Sequence, residues 1–341
     1  MCRRVTMLKR HIYSAVAMAA ISGLLVSCGG NVESDKNAAG SGSAFTIDNC
    51  GFELEFKSTA QRAVSTEQAA TDTLLALHVE KQMVGTANLK TAVLPEYQDK
   101  YEAIEKIAER VPTSEQLRSV DPDFVYSPFE SVFTADGAGT REELKDLGVN
   151  AYYSNVECRD YEPNKGKNAF DLIEKDITEL GTIFGAESRA KELVEEQQKI
   201  IEDAKGKDIK DADKLSVLYL YSVYKGAPYV AGKTGVGQSI SDIVGVKNVF
   251  EDTNELWPEV AWEAIAERNP EVIVLADLKE RGAPGDSYED KIEAMKKDPA
   301  MSQLDAVKNE RFIIVPGVEL DANVRSAHAL QVIADGLAKQ E

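Results

Sequence analysis

From residue 62 onward, short runs of apolar and β-branched residues alternate with segments whose apolar positions follow helical spacing. Arg62–Ser65, Gln82–Thr86, Asp123–Ser127 and Asn150–Ser154 read as short strands. Glu67–Leu77, Thr113–Val120 and Thr140–Leu147 read as the helices between them. This alternation predicts a parallel sheet covered by helices, an α/β arrangement.

A different pattern follows. Between residues 168 and 205 breakers are few, and Leu172, Ile173, Ile177, Leu180, Ile183 and Phe184 keep helical periodicity. The reading is one long helix, straight or kinked, with Gly181 and Gly185 weakening its middle. The α/β alternation then restarts. Leu215–Tyr221 (LSVLYLY) is almost continuously apolar, as expected of a strand buried on both faces. Val272–Ala276 and Phe312–Val315 are further strands, with helices at 235–244, 260–268, 289–297 and 323–338. The predicted layout is an α/β lobe over 45–167, a connecting helix over 168–205 and a second α/β lobe over 206–341.

The N-terminus is a different kind of segment. Residues 1–27 carry Arg3, Arg4, Lys9 and Arg10, no acidic residue, and an apolar stretch from Ile12 to Val26, which reads as a secretory signal peptide. Its end, Leu25-Val26-Ser27-Cys28-Gly29, resembles a bacterial lipobox, with Cys28 as the lipid-modified residue; ordinary signal cleavage beside an incidental Cys28 is the alternative. Residues 28–44, rich in Gly, Ser and Asn, read as a flexible tether. The implied location is the extracytoplasmic face of a cell membrane, held by a lipid anchor.

Removing the signal changes the charge. The whole chain has 39 Lys+Arg against 58 Asp+Glu; without the four cations of the signal, 35 face 58, a net −23. Such acidity argues against a nucleic-acid partner, which needs clustered Lys and Arg. Once Cys2 leaves and Cys28 is modified, Cys50 and Cys158 remain. In an oxidising compartment they suggest one disulfide, the alternative being two separate thiols.

Enzymatic motifs are thin. Ala227–Thr234 matches a permissive phosphate-loop pattern, but Pro228 lacks an N–H, and Tyr229 and Val230 favour extended backbone. The three histidines, His11, His78 and His328, form no metal or triad spacing, so neither a catalytic set nor a metal site is expected. More informative are two echoing segments. Val111–Ser127 places Glu115 early in a short helix, with Pro122 seven residues on and then a β run. Val260–Ala276 repeats this with Glu263 and Pro270.

With these segments in view, the chain resembles the substrate-binding lipoproteins of ABC importers for ferric siderophores, haem and cobalamin. The likeness spans about residues 60–341. Besides the echoing pair, its carriers are the stretch Arg62–Val79, Met83-Val-Gly-Thr and Phe312-Ile-Ile-Val-Pro-Gly, with a departure at His78-Val79, where Gly is usual. The resemblance implies two Rossmann-like lobes joined by one long rigid helix, a ligand cleft between them, and small closure motions. It implies a non-enzymatic monomer with no cofactor of its own, which binds a small-molecule metal chelate such as a ferric siderophore. It also implies a permease partner met by Glu115 and Glu263. Cobalamin, haem or another cofactor precursor are alternative ligands. An exported carboxylate-based hydrolase and a surface adhesion module are the rival classes.

Clefts in such folds lie at the carboxyl ends of the strands. That rule offers Thr66, Glu67, Asn88, Lys90, Tyr126 and Phe129 from the first lobe. From the second it offers Tyr221, Tyr224, Lys225, Tyr229, Trp257, Lys279, Arg281 and Arg325. Aromatic and cationic chemistry favours Tyr126, Tyr224, Trp257 and Arg325 as ligand contacts.

Overall fold

The computed structural model describes residues 44–340. The signal peptide, Cys28 and the tether up to residue 43 lie outside the described residues.

The first lobe opens with a hairpin, β1 (Phe45–Asn49) and β2 (Phe52–Phe56), antiparallel about Cys50-Gly51. The elements β3 (Ala63–Ser65), α1 (Gln68–Ala76), β4 (Met83–Ala87), α2 (Gln98–Glu102) and β5 (Lys106–Ala108) come next. They are followed by α3 (Ser114–Ser119), β6 (Phe124–Ser127), α4 (Arg141–Asp146) and β7 (Asn150–Tyr153). The five strands β3–β7 form a parallel sheet in the order β5-β4-β3-β6-β7. β3 and β6 are buried throughout, as befits central strands covered on both faces. Thr113 and Thr140 cap α3 and α4 through capping boxes with Gln116 and Glu143.

Cys50 and Cys158 are bonded, their Cα atoms 5.8 Å apart across 108 residues. The bond ties the opening hairpin to the segment leaving β7. Arg141 reinforces the same junction. Its buried guanidinium donates to the Asn49 carbonyl (3.1 Å) and lies over the rings of Phe52 and Tyr153.

The single connecting helix expected over 168–205 is corrected to two helices, α5 (Ala169–Phe184) and α6 (Glu187–Lys205). Gly185 takes a left-handed conformation (φ 69°) that ends α5, with Ala186 N–H donating to Gly181 O at 2.7 Å. The chain then turns back. At Gly181 a β-carbon would lie 2.4 Å from that of Ala190, so the glycine lets the helices close, and Gln198 reaches Glu174 at 3.0 Å. Apolar periodicity is the same in one long helix and in two antiparallel ones, which is why the pattern missed the break. Both helices bridge the lobes. α5 starts against the second lobe (Ala169 N to Ser239 Oγ, 2.8 Å) and ends on the first (Ala60 N to Ile183 O, 2.9 Å). α6 leaves the first lobe at Arg189, bonded to Ala76 O (3.0 Å), and reaches the second at Gln197, bonded to Val324 O (2.6 Å).

The second lobe comprises β8 (Ser216–Tyr224), β9 (Ala227–Val230), α7 (Val236–Val244), β10 (Lys247–Asn248) and α8 (Trp262–Arg268). After them come β11 (Val272–Asp277), α9 (Tyr288–Lys297), α10 (Asp305–Lys308), β12 (Phe312–Pro316) and α11 (Ser326–Leu337). Its parallel order is β10-β8-β11-β12, with β9 antiparallel to β8. The phosphate-loop lookalike is therefore a strand and the turn after it. Among the described residues no helix is long and apolar enough to cross a membrane.

Candidate functional site

The loops leaving the carboxyl ends of the two sheets meet each other. α1 explains how the first lobe contributes. All nine of its residues are buried, polar ones included, and Glu67 caps it by accepting from Ala69 N. A helix buried all round buries its polar face too, and here Glu67, Gln68 and Asp72 find partners. Gln68 Oε1 accepts from the backbone N–H groups of Lys90 and Thr91 (3.2 and 3.3 Å), fixing the loop after β4.

That loop carries Lys90 across the interface. Its Nζ pairs with Glu67 in its own lobe at 2.5 Å and with Asp321 of the second lobe at 3.0 Å, and donates to the Tyr221 hydroxyl at 3.1 Å. A parallel crossing joins Arg325 of the second lobe to Asp72 (3.1 Å) and to its own lobe's Glu319 (2.9 Å). Glu280 accepts from Thr91 Oγ1 and Ala92 N, both at 2.6 Å. The Lys90 and Arg325 crossings are charge-assisted bonds shielded from water, so they are stronger than a surface pair and costly to break on one side only, whereas Glu280 is exposed.

Burial sets the electrostatics. It raises the Glu67 carboxyl against the pull of Lys90, and it raises Asp72 to about 6 against the pull of Arg325. Burial alone would depress the Lys90 ammonium, but Asp321, Tyr221 and Glu67 reverse this and hold it charged. His328 is raised through its 2.7 Å bond from Nδ1 to Glu319, so it serves the Arg325 cluster rather than a reaction.

Beside these crossings lies a cavity of about 970 Å³. Glu130, Tyr153, Glu157, Arg159 and Lys167 line it from the first lobe and its linker. Lys233, Asp242 and Leu256 line it from the second. Trp257 follows Leu256 and stacks on Tyr221, ring centroids 4.3 Å apart.

The structure sorts the ligand-contact candidates by place. Trp257 and Arg325 stand where the lobes meet, although Arg325 is already held by two carboxylates. Tyr126 is corrected to a core position. It is 1% exposed and packs edge-on against Tyr152, because β6 is buried on both faces. Tyr224 is 55% exposed at the β8–β9 hairpin, under Lys225. Glu115 and Glu263 are each the second residue of a short helix, α3 and α8, and both are exposed. Asp72, Glu280, Glu319 and Asp321 escaped the sequence reading. The available signal was a carboxylate inside an otherwise apolar stretch, clearest at Asp72 in TDTLLAL.

Two α/β lobes, a helical bridge and a polar cleft at the strand ends define a two-lobed binding protein. A family model described as periplasmic binding protein matches residues 64–318, and the chain belongs to that family. It is a substrate-binding protein of an ABC transporter and not an enzyme. It is 25% identical over 333 residues, 96% of each chain, to the uncharacterised ABC transporter substrate-binding lipoprotein YvrC of Bacillus subtilis (strain 168). A periplasmic binding protein from Veillonella parvula superposes with a TM-score of 0.74 at 26% identity, covering 88% of this chain and all of that one. A protein of an ABC-type Fe3+-hydroxamate transport system from Saccharomonospora viridis gives 0.69 at 25% identity, covering 86% and 98%.

Proposed function

We propose that the protein is the lipid-anchored, extracytoplasmic receptor of an importer, and that it captures a metal chelate, foremost a ferric siderophore, between its lobes. The cavity carries this reading: about 970 Å³ is the size of a multidentate chelate rather than of a bare ion. Likeness to a protein of an Fe3+-hydroxamate transport system supports the iron class. The lipid anchor rests on Cys28 and on the lipoprotein relative. The stacked Tyr221–Trp257 pair favours, as a second reading, a planar macrocycle such as haem or the corrin of cobalamin. The chelate passes to the permease when Glu115 and Glu263, one on each lobe, dock on it.

Native mass spectrometry of the purified protein with ferric hydroxamates, haem and cobalamin tests this. One chelate bound per chain and recovered unchanged supports the receptor. Ligand released in altered form supports a hydrolase.

A further inference from the structure

We infer, on the chelate reading above, that the Cys50–Cys158 disulfide positions the wall of the ligand cavity, so that its reduction by a dithiol lowers chelate affinity while the protein stays folded.

Most of the residues lining the cavity come from one stretch of chain, 156–168, between β7 and α5. That stretch joins neither sheet. It is built from two short 3₁₀ turns, Asn155–Cys158 and Glu162–Asn164, and the chain around them. Without ladder bonds, its shape is set by side chains and cross-links. Both ends are fixed on α5. Buried Asp176 accepts from Asn155 N at 2.9 Å, and Asn168 caps the helix. In the middle, buried Asn164 donates from Nδ2 to Cys158 O (3.2 Å) and accepts from Lys175 Nζ (2.9 Å). Arg159 Nη2 closes the stretch by donating to Lys167 O at 3.2 Å. Two ties run outward to the opening hairpin: the disulfide, and the Tyr161 hydroxyl on Asp48.

Cys158 thus belongs to the cavity wall and to its outward anchor at once. Its neighbour adds a second observation. Arg159 also lines the cavity, and its Nη1 is buried without a partner. An unmet buried donor is costly, so this shape of the wall is one that the adjoining covalent bond helps to hold. Once the bond is broken, Arg159 is free to turn toward water or toward Asp242 on the opposite wall. A site held in its binding shape has less order left to lose when ligand arrives, and it binds more tightly for that reason.

Both cysteines are half-buried rather than sealed in the core. A thiolate of the reductant attacks one sulfur and breaks the S–S bond. Its second thiol then closes the reductant's own disulfide, and two electrons and two protons pass to Cys50 and Cys158.

Calorimetry with gallium(III) desferrioxamine B and gallium(III) protoporphyrin IX, complexes that a thiol does not reduce, tests this on oxidised and dithiothreitol-reduced protein. Circular dichroism follows the fold. Reduction is expected to weaken binding about tenfold with the spectrum unchanged, and reoxidation to restore it. Asn164→Ala keeps the disulfide and every lining side chain but loosens the wall from within, and is expected to weaken binding about fivefold. Affinity within about twofold of the oxidised value after reduction, or unfolding on reduction, overturns the redox control and leaves the receptor reading intact. Unchanged affinity in Asn164→Ala overturns the positioning of the wall. Failure of the oxidised protein to bind either complex overturns the chelate reading as well.

Discussion

Lys90 of the first lobe and Asp321 of the second meet at 3.0 Å with side chains 11% and 1% exposed, so one ion pair sealed from water spans the cleft. The lobes are held together by groups that are each expensive to leave alone. Lys90→Met is expected to lower unfolding stability by about 3–5 kcal/mol, because Glu67 and Asp321 lose their shared cation. Urea denaturation followed by circular dichroism measures this. A loss under ~1 kcal/mol would show the pair to be solvated.

The pH dependence has a definite sign. Burial raises Asp72 and Asp176 each to about 6 from 3.8. Between those values the native state binds more protons than the unfolded one, so stability from these groups grows as pH falls from 7 toward 4. Asp72→Asn removes one contribution. Between pH 7.5 and 5, the wild type is expected to gain about 1 kcal/mol more than the variant in parallel denaturation curves. Equal gains would contradict the buried-carboxyl account.

The disulfide closes a long loop around the first lobe. Replacing Cys50 and Cys158 with Ser is expected to cost about 2–5 kcal/mol, chiefly by freeing the unfolded chain. The oxidised wild type should lose a similar amount under reductant, and the double variant should lose nothing further.

Glu115 and Glu263 occupy the same second position of short exposed helices in the two lobes. Replacing both with Ala is expected to abolish uptake in cells while chelate affinity of the purified protein stays within about twofold, since neither lines the cavity. A fall in affinity would place them in the pocket or the fold.

Much of this architecture was legible because the signals were local. The apolar run ending at Tyr221 could only be a central strand, and the spacing from Glu115 to Pro122 and from Glu263 to Pro270 marked equivalent helices. The parts that were not legible depend on how distant segments meet. Gly181 reads as a weak helix residue until Ala190 is seen against it. Tyr126 looks like a strand-end aromatic until Tyr152 is seen to hold it inward. His78 stands where the family pattern has Gly, and its φ of 61° gives the reason for that preference, a left-handed turn after α1. Asp321 sits far along the chain from Lys90, so nothing in its own neighbourhood announces the pairing. The hairpin of Phe45–Asn49 and Phe52–Phe56 about Cys50-Gly51 went unread, because the strand reading began at residue 62.

The central claim, that a chelate is captured between the lobes, is tested most directly at Trp257. The chain has two tryptophans, so Trp262→Phe leaves Trp257, stacked on Tyr221 at the junction, as sole reporter. Fluorescence titration of that variant with ferric trihydroxamate is expected to give a saturable, one-to-one change that the reverse variant, Trp257→Phe, does not show. No saturable change with this chelate, haem or cobalamin in a folded protein would contradict capture in the cleft.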